Sequence, residues 1–126
     1  MADKPESAIV YIIDDEHSVR RSLSRLMRAA GLGTKTFSNV DEFETDALSS
    51  GGGCVVADVH MPGSSPLELP SRLAERGIDL PVIYITGRDS NQTRERVRAA
   101  GAVGYFRKPI DDQALIDAIN WVVGSH

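Results

Sequence analysis

Four short apolar runs, three of them rich in β-branched residues, recur along the chain, and helix-like segments separate them. An apolar run of about four to eight residues predicts a strand that is buried on both faces, as in parallel sheets. A fifth segment alternates in the way of a half-buried strand. Strands that alternate with helices predict an α/β fold with a five-stranded parallel sheet, right-handed crossovers and helices on both faces. The predicted strands are Ala8–Ile13, Thr34–Phe37, Cys54–Asp58, Pro81–Ile85 and Val103–Phe106.

The segments between the strands have the spacing of amphipathic helices. Gly31 ends the first helix, and as the residue past the helix cap it lets Leu32 contact Met27. The helix after the fourth strand has only a thin apolar face, so we expect it to be the least firmly anchored. The apolar positions of the first helix are Val19, Leu23, Leu26, Met27 and Ala30, and those of the fourth are Thr93, Val97 and Ala100.

Side chains suited to helix caps precede three of these helices. Ser38 or Asn39 can cap the second helix, Asp89 or Ser90 the fourth, and Asp111 the last. These residues each place a side-chain oxygen where the first free backbone N–H groups of a helix need an acceptor. The sequence leaves both alternatives open for the second and fourth helices.

Two prolines interrupt the predicted third helix. We start it near Ser65 and Pro66, since proline is well tolerated in the first turn of a helix. Pro70 then removes one intrahelical hydrogen bond, so we expect it to kink or delay this helix.

Composition narrows the class of protein. A chain of 126 residues with 41% hydrophobic residues fits one domain over residues 1–126, with a polar, flexible N-terminus over residues 1–7. A net charge of -4 without a basic run gives no reason to expect direct nucleic-acid or membrane contact. The single cysteine, Cys54, lies in a predicted buried strand and excludes an internal disulfide. With no apolar run near the roughly 20 residues of a membrane span, we expect a cytoplasmic protein.

Polar residues follow the carboxyl ends of four predicted strands. Asp14 and Asp15 follow the first strand, Asp58 ends the third, Thr86 follows the fourth and Lys108 follows the fifth. Because parallel strands bring their carboxyl ends to one edge of the sheet, these side chains should meet there. Three clustered carboxylates repel one another unless a hard cation occupies the site, and carboxylates with water are the ligands that Mg²⁺ prefers. The sequence therefore predicts a magnesium site.

Four short motifs in this order resemble the receiver domains of two-component response regulators, which have the CheY-like fold with strand order 2-1-3-4-5. The resemblance extends from about Ala8 to Val123 and is nearest to receivers of the FixJ type, which precede a helix-turn-helix output domain. The motifs are Ile13-Asp14-Asp15, Asp58-Val59-His60-Met61-Pro62-Gly63, Ile85-Thr86-Gly87 and Lys108-Pro109.

The resemblance implies a chemistry for these residues. Asp15, Asp58 and the backbone carbonyl of His60 would bind Mg²⁺ directly, and Asp14 would hold it through water. Asp58 would accept a phosphoryl group from a histidine kinase or phosphotransfer protein, with the metal and Lys108 neutralising the phosphoryl oxygens. On this view the chain is not an enzyme beyond its own phosphorylation and dephosphorylation.

The resemblance also implies a conformational switch. The Thr86 hydroxyl and the Gly87 backbone N–H would move onto the phosphoryl group, and Tyr105 would turn inward into the space that is vacated. Helix 4, strand 5 and helix 5 would form the face that changes, and this face could support a phosphorylation-dependent homodimer. The Lys108-Pro109 pair resembles the cis-proline pair that directs the lysine into the site.

Two further residues are expected to modulate the site. The side chain of His60 and that of Arg88 would affect the water that hydrolyses the phosphoryl group. A histidine beside three carboxylates could instead complete a transition-metal site. The sequence departs from the family at Pro66, where receivers usually have a glycine nearby, and at Pro70.

Other functions fit parts of the pattern. The chain could be a receiver-fold interaction module that works without phosphate, or the N-terminal receiver of a DNA-binding transcription regulator. A phosphatase with an aspartate nucleophile would require a general acid two residues after Asp58, where His60 is poorly suited. A flavin-binding protein is opposed by the acidic first loop, which disfavours phosphate.

Overall fold

The computed structural model describes residues 8–46, 52–61 and 65–124. The segment over residues 1–7, expected to be flexible, and Pro62 and Gly63 of the second motif lie outside these ranges. No helix within them is long and apolar enough to cross a membrane. In chain order the elements are β1 (Ile9–Ile13), α1 (His17–Ala29), β2 (Gly33–Phe37), α2 (Val40–Thr45), β3 (Gly53–Asp58), a 3₁₀ turn (Pro66–Glu68), α3 (Leu69–Glu75), β4 (Val82–Thr86), α4 (Asn91–Ala99), β5 (Gly104–Arg107) and α5 (Asp112–Gly124).

The five strands form one parallel sheet in the order β2-β1-β3-β4-β5, which confirms the predicted fold class and strand order. Ile13 pairs with Ala57, Asp58 with Ile85, and Thr86 with Arg107. This register ends the central strands together, so the residues that follow them lie along one edge. The sheet separates two apolar clusters, one around Ile12, Leu115 and Ile119 and the other around Tyr11, Phe43 and Tyr84.

The central pair β1–β3 comes close enough to require a glycine. Gly53 is buried at the start of β3, and a Cβ atom there would overlap the backbone carbonyl oxygen of Ile9. The residues that follow, from Cys54 to Asp58, are all buried, as expected for a central strand of a parallel sheet. The edge strand β2 differs, since only Phe37 of its five residues is buried.

The helix caps settle the alternatives that the sequence left open. Asn39 caps α2 by accepting the N–H of Glu42 at 2.8 Å, and Ser90 caps α4 by accepting the N–H of Thr93 at 3.0 Å. The carboxylate of Asp111 accepts the N–H of Ala114 at 3.0 Å, at the start of α5. These bonds satisfy backbone donors that have no partner within the helix.

The end of α1 has the geometry predicted from Gly31. Gly31 has a φ of 80°, in the left-handed region, and the N–H of Leu32 donates to the carbonyl of Met27 at 2.9 Å. Leu32 and Met27 are both buried. The chain is thereby turned directly into β2, which keeps β2 beside β1.

The segment after β3 begins as a 3₁₀ turn rather than as an α-helix. Pro66 starts this turn, and the α-helix begins only at Leu69, with Pro70 in its first turn. Pro70 thus delays the α-helix, as expected, because at this position its missing N–H removes no intrahelical bond. The buried Tyr84 hydroxyl of β4 donates to the carbonyl of Pro66 at 2.5 Å, which ties this turn to the sheet.

Candidate functional site

Three carboxylates converge at the carboxyl edge of the sheet. Asp14 and Asp15 follow β1 and Asp58 is the last residue of β3, and one oxygen from each lies within 4.8 Å of the others. Asp14 and Asp58 are buried, whereas Asp15 is exposed. We call these three residues, together with Glu16 and Lys108, the acid pocket. It forms one side of a surface pocket whose other lining residues are Val59, His60, Met61, Gly87 and Arg88.

Lys108 is the cation of the acid pocket. Its Nζ lies 3.1 Å from Asp14 Oδ2, 3.3 Å from Glu16 Oε1 and 3.4 Å from Asp58 Oδ2. The peptide bond between Lys108 and Pro109 is cis, as the resemblance implied. Burial alone would lower the pKa of Lys108, but its hydrogen bond to Asp14 and the surrounding carboxylates raise that pKa above its ordinary value. Lys108 therefore stays charged.

The acid pocket holds more negative than positive charge, because one ammonium faces the carboxylates of Asp14, Glu16 and Asp58. Burial raises the pKa of Asp14 above its ordinary value, even though the Glu16 N–H and Lys108 both donate hydrogen bonds to its carboxylate. The nearby charge of Asp58 raises the Asp14 pKa further. A hard divalent cation fits this donor set, because it would relieve the repulsion among carboxylates that a single ammonium leaves in place.

Glu16 is a member of the pocket that the sequence did not single out. It precedes α1 as the N-cap residue, and its side chain pairs with Lys108 across 92 positions of sequence. The available signal was the acidic residue directly after Asp14 and Asp15. An acid before a helix, however, is also common simply because it suits the positive end of the helix dipole.

Thr86 lies at the same edge but is engaged elsewhere. It is fully buried at the end of β4, and its hydroxyl both donates to the Arg88 carbonyl at 3.1 Å and accepts the Arg88 N–H at 3.0 Å. Gly87 lines the pocket between Thr86 and Arg88. The hydroxyl is therefore held by the loop that follows its own strand.

Tyr105 lies outside the acid pocket. Its ring is half-buried on β5, and its hydroxyl donates to Asp89 Oδ1 at 2.8 Å. Burial and the bond to Asp89 raise the pKa of Tyr105 to about 12. The phenol is thus a neutral donor to an ionised carboxylate at neutral pH.

The two residues expected to modulate the site, His60 and Arg88, are both exposed and line the pocket. The backbone N–H of His60 donates to Asp58 Oδ1 at 3.1 Å, which orients that carboxylate. Within the described ranges, the group of side chains close enough to hold an ion contains three aspartates and no histidine. The donor set therefore favours a hard cation over a transition metal.

Comparison with known proteins agrees with this geometry. The family model for the response regulator receiver domain matches residues 10–120. Response regulator protein TmoT of Ectopseudomonas mendocina is 36% identical over 114 residues, covering 90% of this chain and 52% of TmoT. Transcriptional regulatory protein FixJ of Azorhizobium caulinodans is 37% identical over 120 residues, covering 95% of this chain and 57% of FixJ.

A solved structure shows the same similarity. The response regulator receiver protein from Burkholderia phymatum is 38% identical, with a TM-score of 0.79, over 94% of this chain and 96% of that one. The chain therefore belongs to the response regulator receiver domain family, the receivers of two-component systems. It spans about half the length of the curated relatives it matches, 52% of TmoT and 57% of FixJ.

Proposed function

We propose that this receiver is phosphorylated on Asp58 and that the phosphoryl group comes from a histidine kinase or a phosphotransfer protein. One observation carries the proposal: the Asp58 carboxylate lies 3.4 Å from the Lys108 ammonium and within 4.8 Å of two further carboxylates. Such a site has a nucleophile, a fixed positive charge and ligands for a divalent cation in one place.

Mg²⁺ is the proposed cofactor. Asp15 and Asp58 would bind it directly together with the backbone carbonyl of His60, and Asp14 would hold it through water. The buried, partly uncompensated charge of Asp14 supports this assignment. When bound, the ion supplies positive charge to the oxygens of the phosphoryl group and to the attacking carboxylate.

The proposed transfer is a displacement at phosphorus. A carboxylate oxygen of Asp58 forms the new P–O bond as the P–N bond of the donor phosphohistidine breaks, and the imidazole nitrogen keeps the bonding electron pair. Lys108 exchanges its contact with the Asp58 carboxylate for the phosphoryl oxygens and offsets their charge. Water later hydrolyses the acyl phosphate, and His60 and Arg88, exposed at the pocket, modulate the rate.

The proposed output is a change of surface. The Thr86 hydroxyl leaves Arg88 and, with the Gly87 N–H, binds the phosphoryl oxygens, while Tyr105 moves into the vacated space. The face formed by α4, β5 and α5 then binds a partner, which includes a second copy of the receiver as a homodimer. The small buried set on α4, Thr93 and Val97, supports a helix that can shift.

The architecture of the relatives supports a wider proposal. The FixJ of Azorhizobium caulinodans bears the name of a transcriptional regulatory protein, and this chain covers 57% of it. We propose that residues 1–126 form one receiver that acts at the N-terminal end of a transcription regulator. The receiver itself would contact the kinase and its output partner rather than DNA.

Incubation with acetyl phosphate and Mg²⁺, followed by intact mass measurement, tests the proposal. The wild type should gain the mass of one phosphoryl group, and Asp58→Asn should gain none. Asp41→Asn, an exposed aspartate on α2, is the matched control and should be phosphorylated like the wild type. An unmodified wild type that still binds a partner would favour a phosphate-independent interaction module.

A further inference from the structure

A second polar cluster lies beside the acid pocket, at the start of α4. Asp89 accepts hydrogen bonds from Arg94 Nε at 3.0 Å, Arg94 Nη2 at 2.7 Å and the Tyr105 hydroxyl at 2.8 Å. Arg107 Nη1 lies 3.8 Å from the same carboxylate. We call these four residues the Asp89 cluster.

The cluster does more than begin the helix. Ser90, not Asp89, caps α4, so the Asp89 side chain is free to bind Arg94, Tyr105 and Arg107. Although it belongs to a loop, only 13% of its side chain is exposed. A bidentate arginine bond fixes the orientation of this carboxylate, which leaves Oδ1 directed at the Tyr105 hydroxyl. The cluster therefore holds the Tyr105 ring at one position.

Asp89 is also connected to Thr86 through the backbone. The Thr86 hydroxyl binds both the N–H and the carbonyl of Arg88, the residue directly before Asp89. A hydroxyl has one proton, so Thr86 cannot donate to a phosphoryl oxygen while it donates to the Arg88 carbonyl. Breaking them frees the Arg88 backbone, and the position of Asp89 relative to Tyr105 depends on that backbone.

We infer that Asp89 is a positioning residue that holds Tyr105 in its half-buried resting place, and that its bond to Tyr105 must break when the receiver switches. This inference rests on the proposed function, since the switch is the one that phosphorylation of Asp58 would drive. Loss of the bond should shift the resting population toward the switched state. The switched state is the one in which Thr86 is available to the phosphoryl group, so phosphorylation should become faster.

The test compares the wild type with Asp89→Asn, Tyr105→Phe and the double variant. Carbon NMR of tyrosine-labelled protein without phosphoryl donor reports the Tyr105 ring, with the fully buried Tyr11 and Tyr84 as internal references. The initial rate of phosphorylation by acetyl phosphate and Mg²⁺ is the second readout. Glu95→Gln is the matched control, because Glu95 pairs with Arg98 on the exposed side of the same helix.

We expect Asp89→Asn to move the Tyr105 signals and to raise the rate about three- to tenfold, the range for the net contribution of one ordinary hydrogen bond. Tyr105→Phe should give a similar gain, and the double variant should gain no more than either single variant. Glu95→Gln should change neither readout.

Unchanged Tyr105 signals in Asp89→Asn overturn the inference. Moved signals with an unchanged phosphorylation rate, or gains that multiply in the double variant, also overturn it. If the Tyr105 signals move but no protein, wild type included, gains a phosphoryl group, the hold of Asp89 on Tyr105 is supported and the proposed phosphoryl transfer fails. The NMR arm needs no phosphorylation, so the two failures are distinguishable.

Discussion

The acid pocket and the Asp89 cluster have opposite charge balances. In the acid pocket, three carboxylates contact one ammonium and a fourth, Asp15, lies beside them. In the Asp89 cluster, two guanidiniums and a phenol surround one carboxylate. The first cluster is short of positive charge, as a site for the proposed Mg²⁺ should be, whereas the charge of the second is balanced by its own side chains. A site that binds a cation needs unpaired negative charge before binding. A cluster that holds a resting conformation needs its charged groups to be paired with one another.

The largest expected effect comes from removing Lys108. Among the residues that the structure describes, it is the only cation that pairs with the carboxylates of the acid pocket. Lys108→Met should slow phosphorylation by acetyl phosphate on the order of 100-fold, because the phosphoryl oxygens lose a fixed positive charge. Initial rates from intact mass measure this. Arg94→Met removes a cation from the Asp89 cluster and should change the rate less than about tenfold. Equal losses of phosphorylation rate in Lys108→Met and Arg94→Met would contradict the proposal that the acid pocket performs the chemistry and the Asp89 cluster positions Tyr105.

Removing a ligand from the pocket should be the next largest effect. Asp15→Asn should weaken Mg²⁺ binding by roughly 10- to 100-fold, since the exposed carboxylate that we propose as a direct ligand of the ion is lost. The shift of the thermal midpoint with Mg²⁺ concentration gives the affinity of the folded state. Asp89→Asn deletes a carboxylate outside the pocket and should leave this dependence unchanged. A matching loss in Asp89→Asn would mean that the two clusters are coupled in the resting protein.

A smaller effect should follow from the buried charge of Asp14. Burial raises the pKa of Asp14, so the folded protein binds that proton more tightly than the unfolded chain, and stability falls as pH rises through the folded pKa. In metal-free buffer at neutral pH, Asp14→Asn should therefore be more stable than the wild type, because Lys108 keeps its contacts with Glu16 and Asp58. Urea denaturation with a chelator measures this. The difference in stability between Asp14→Asn and the wild type should shrink at acidic pH, where Asp14 is protonated. A difference that stays constant with pH would contradict the ionisation of Asp14 as its cause.

The smallest expected effect is the opposite pH dependence at Asp89. Its hydrogen bonds to Arg94 and Tyr105 lower its pKa from 3.8 to about 2. The stability that ionised Asp89 contributes is therefore fully present above about pH 4 and is lost as pH falls toward about 2. The difference in urea midpoint between wild type and Asp89→Asn should follow that course. If the stability advantage of the wild type over Asp89→Asn grew on acidification, the hydrogen bonds of ionised Asp89 to Arg94 and Tyr105 would not be its cause.

The apolar strand pattern predicted the parallel sheet because such a pattern is a local property of the sequence, whereas the strand order was implied by the resemblance to receiver domains. The positions of Asp14, Asp58, Thr86 and Lys108 at strand ends follow from the parallel arrangement alone. The Asp89 cluster could not be predicted in this way, because its bond to Tyr105 depends on side-chain rotamers on two elements. Before a helix, Asp89 and Ser90 are nearly equivalent as caps, and only the packing of the folded chain decides between them.

Glu16 illustrates the same limit within the pocket. Its contact with Lys108 joins residues 92 positions apart, and nothing in the spacing of either residue indicates it. Pro70 is the opposite case. Its missing N–H is a covalent property of the residue, so the delay of α3 follows from the amino-acid sequence alone.

The position of Lys108 has a consequence for how the protein is made. Lys108 contacts Asp14 across 94 positions of sequence, and Asp58 across 50. During synthesis the carboxylates of the pocket all emerge from the ribosome well before the lysine that contacts them. A nascent chain that ends after β4 therefore has Asp58, the proposed phosphoryl acceptor, without the lysine that contacts it. On the proposed function, we therefore expect a chain that lacks Lys108 to be phosphorylated far more slowly than the finished receiver.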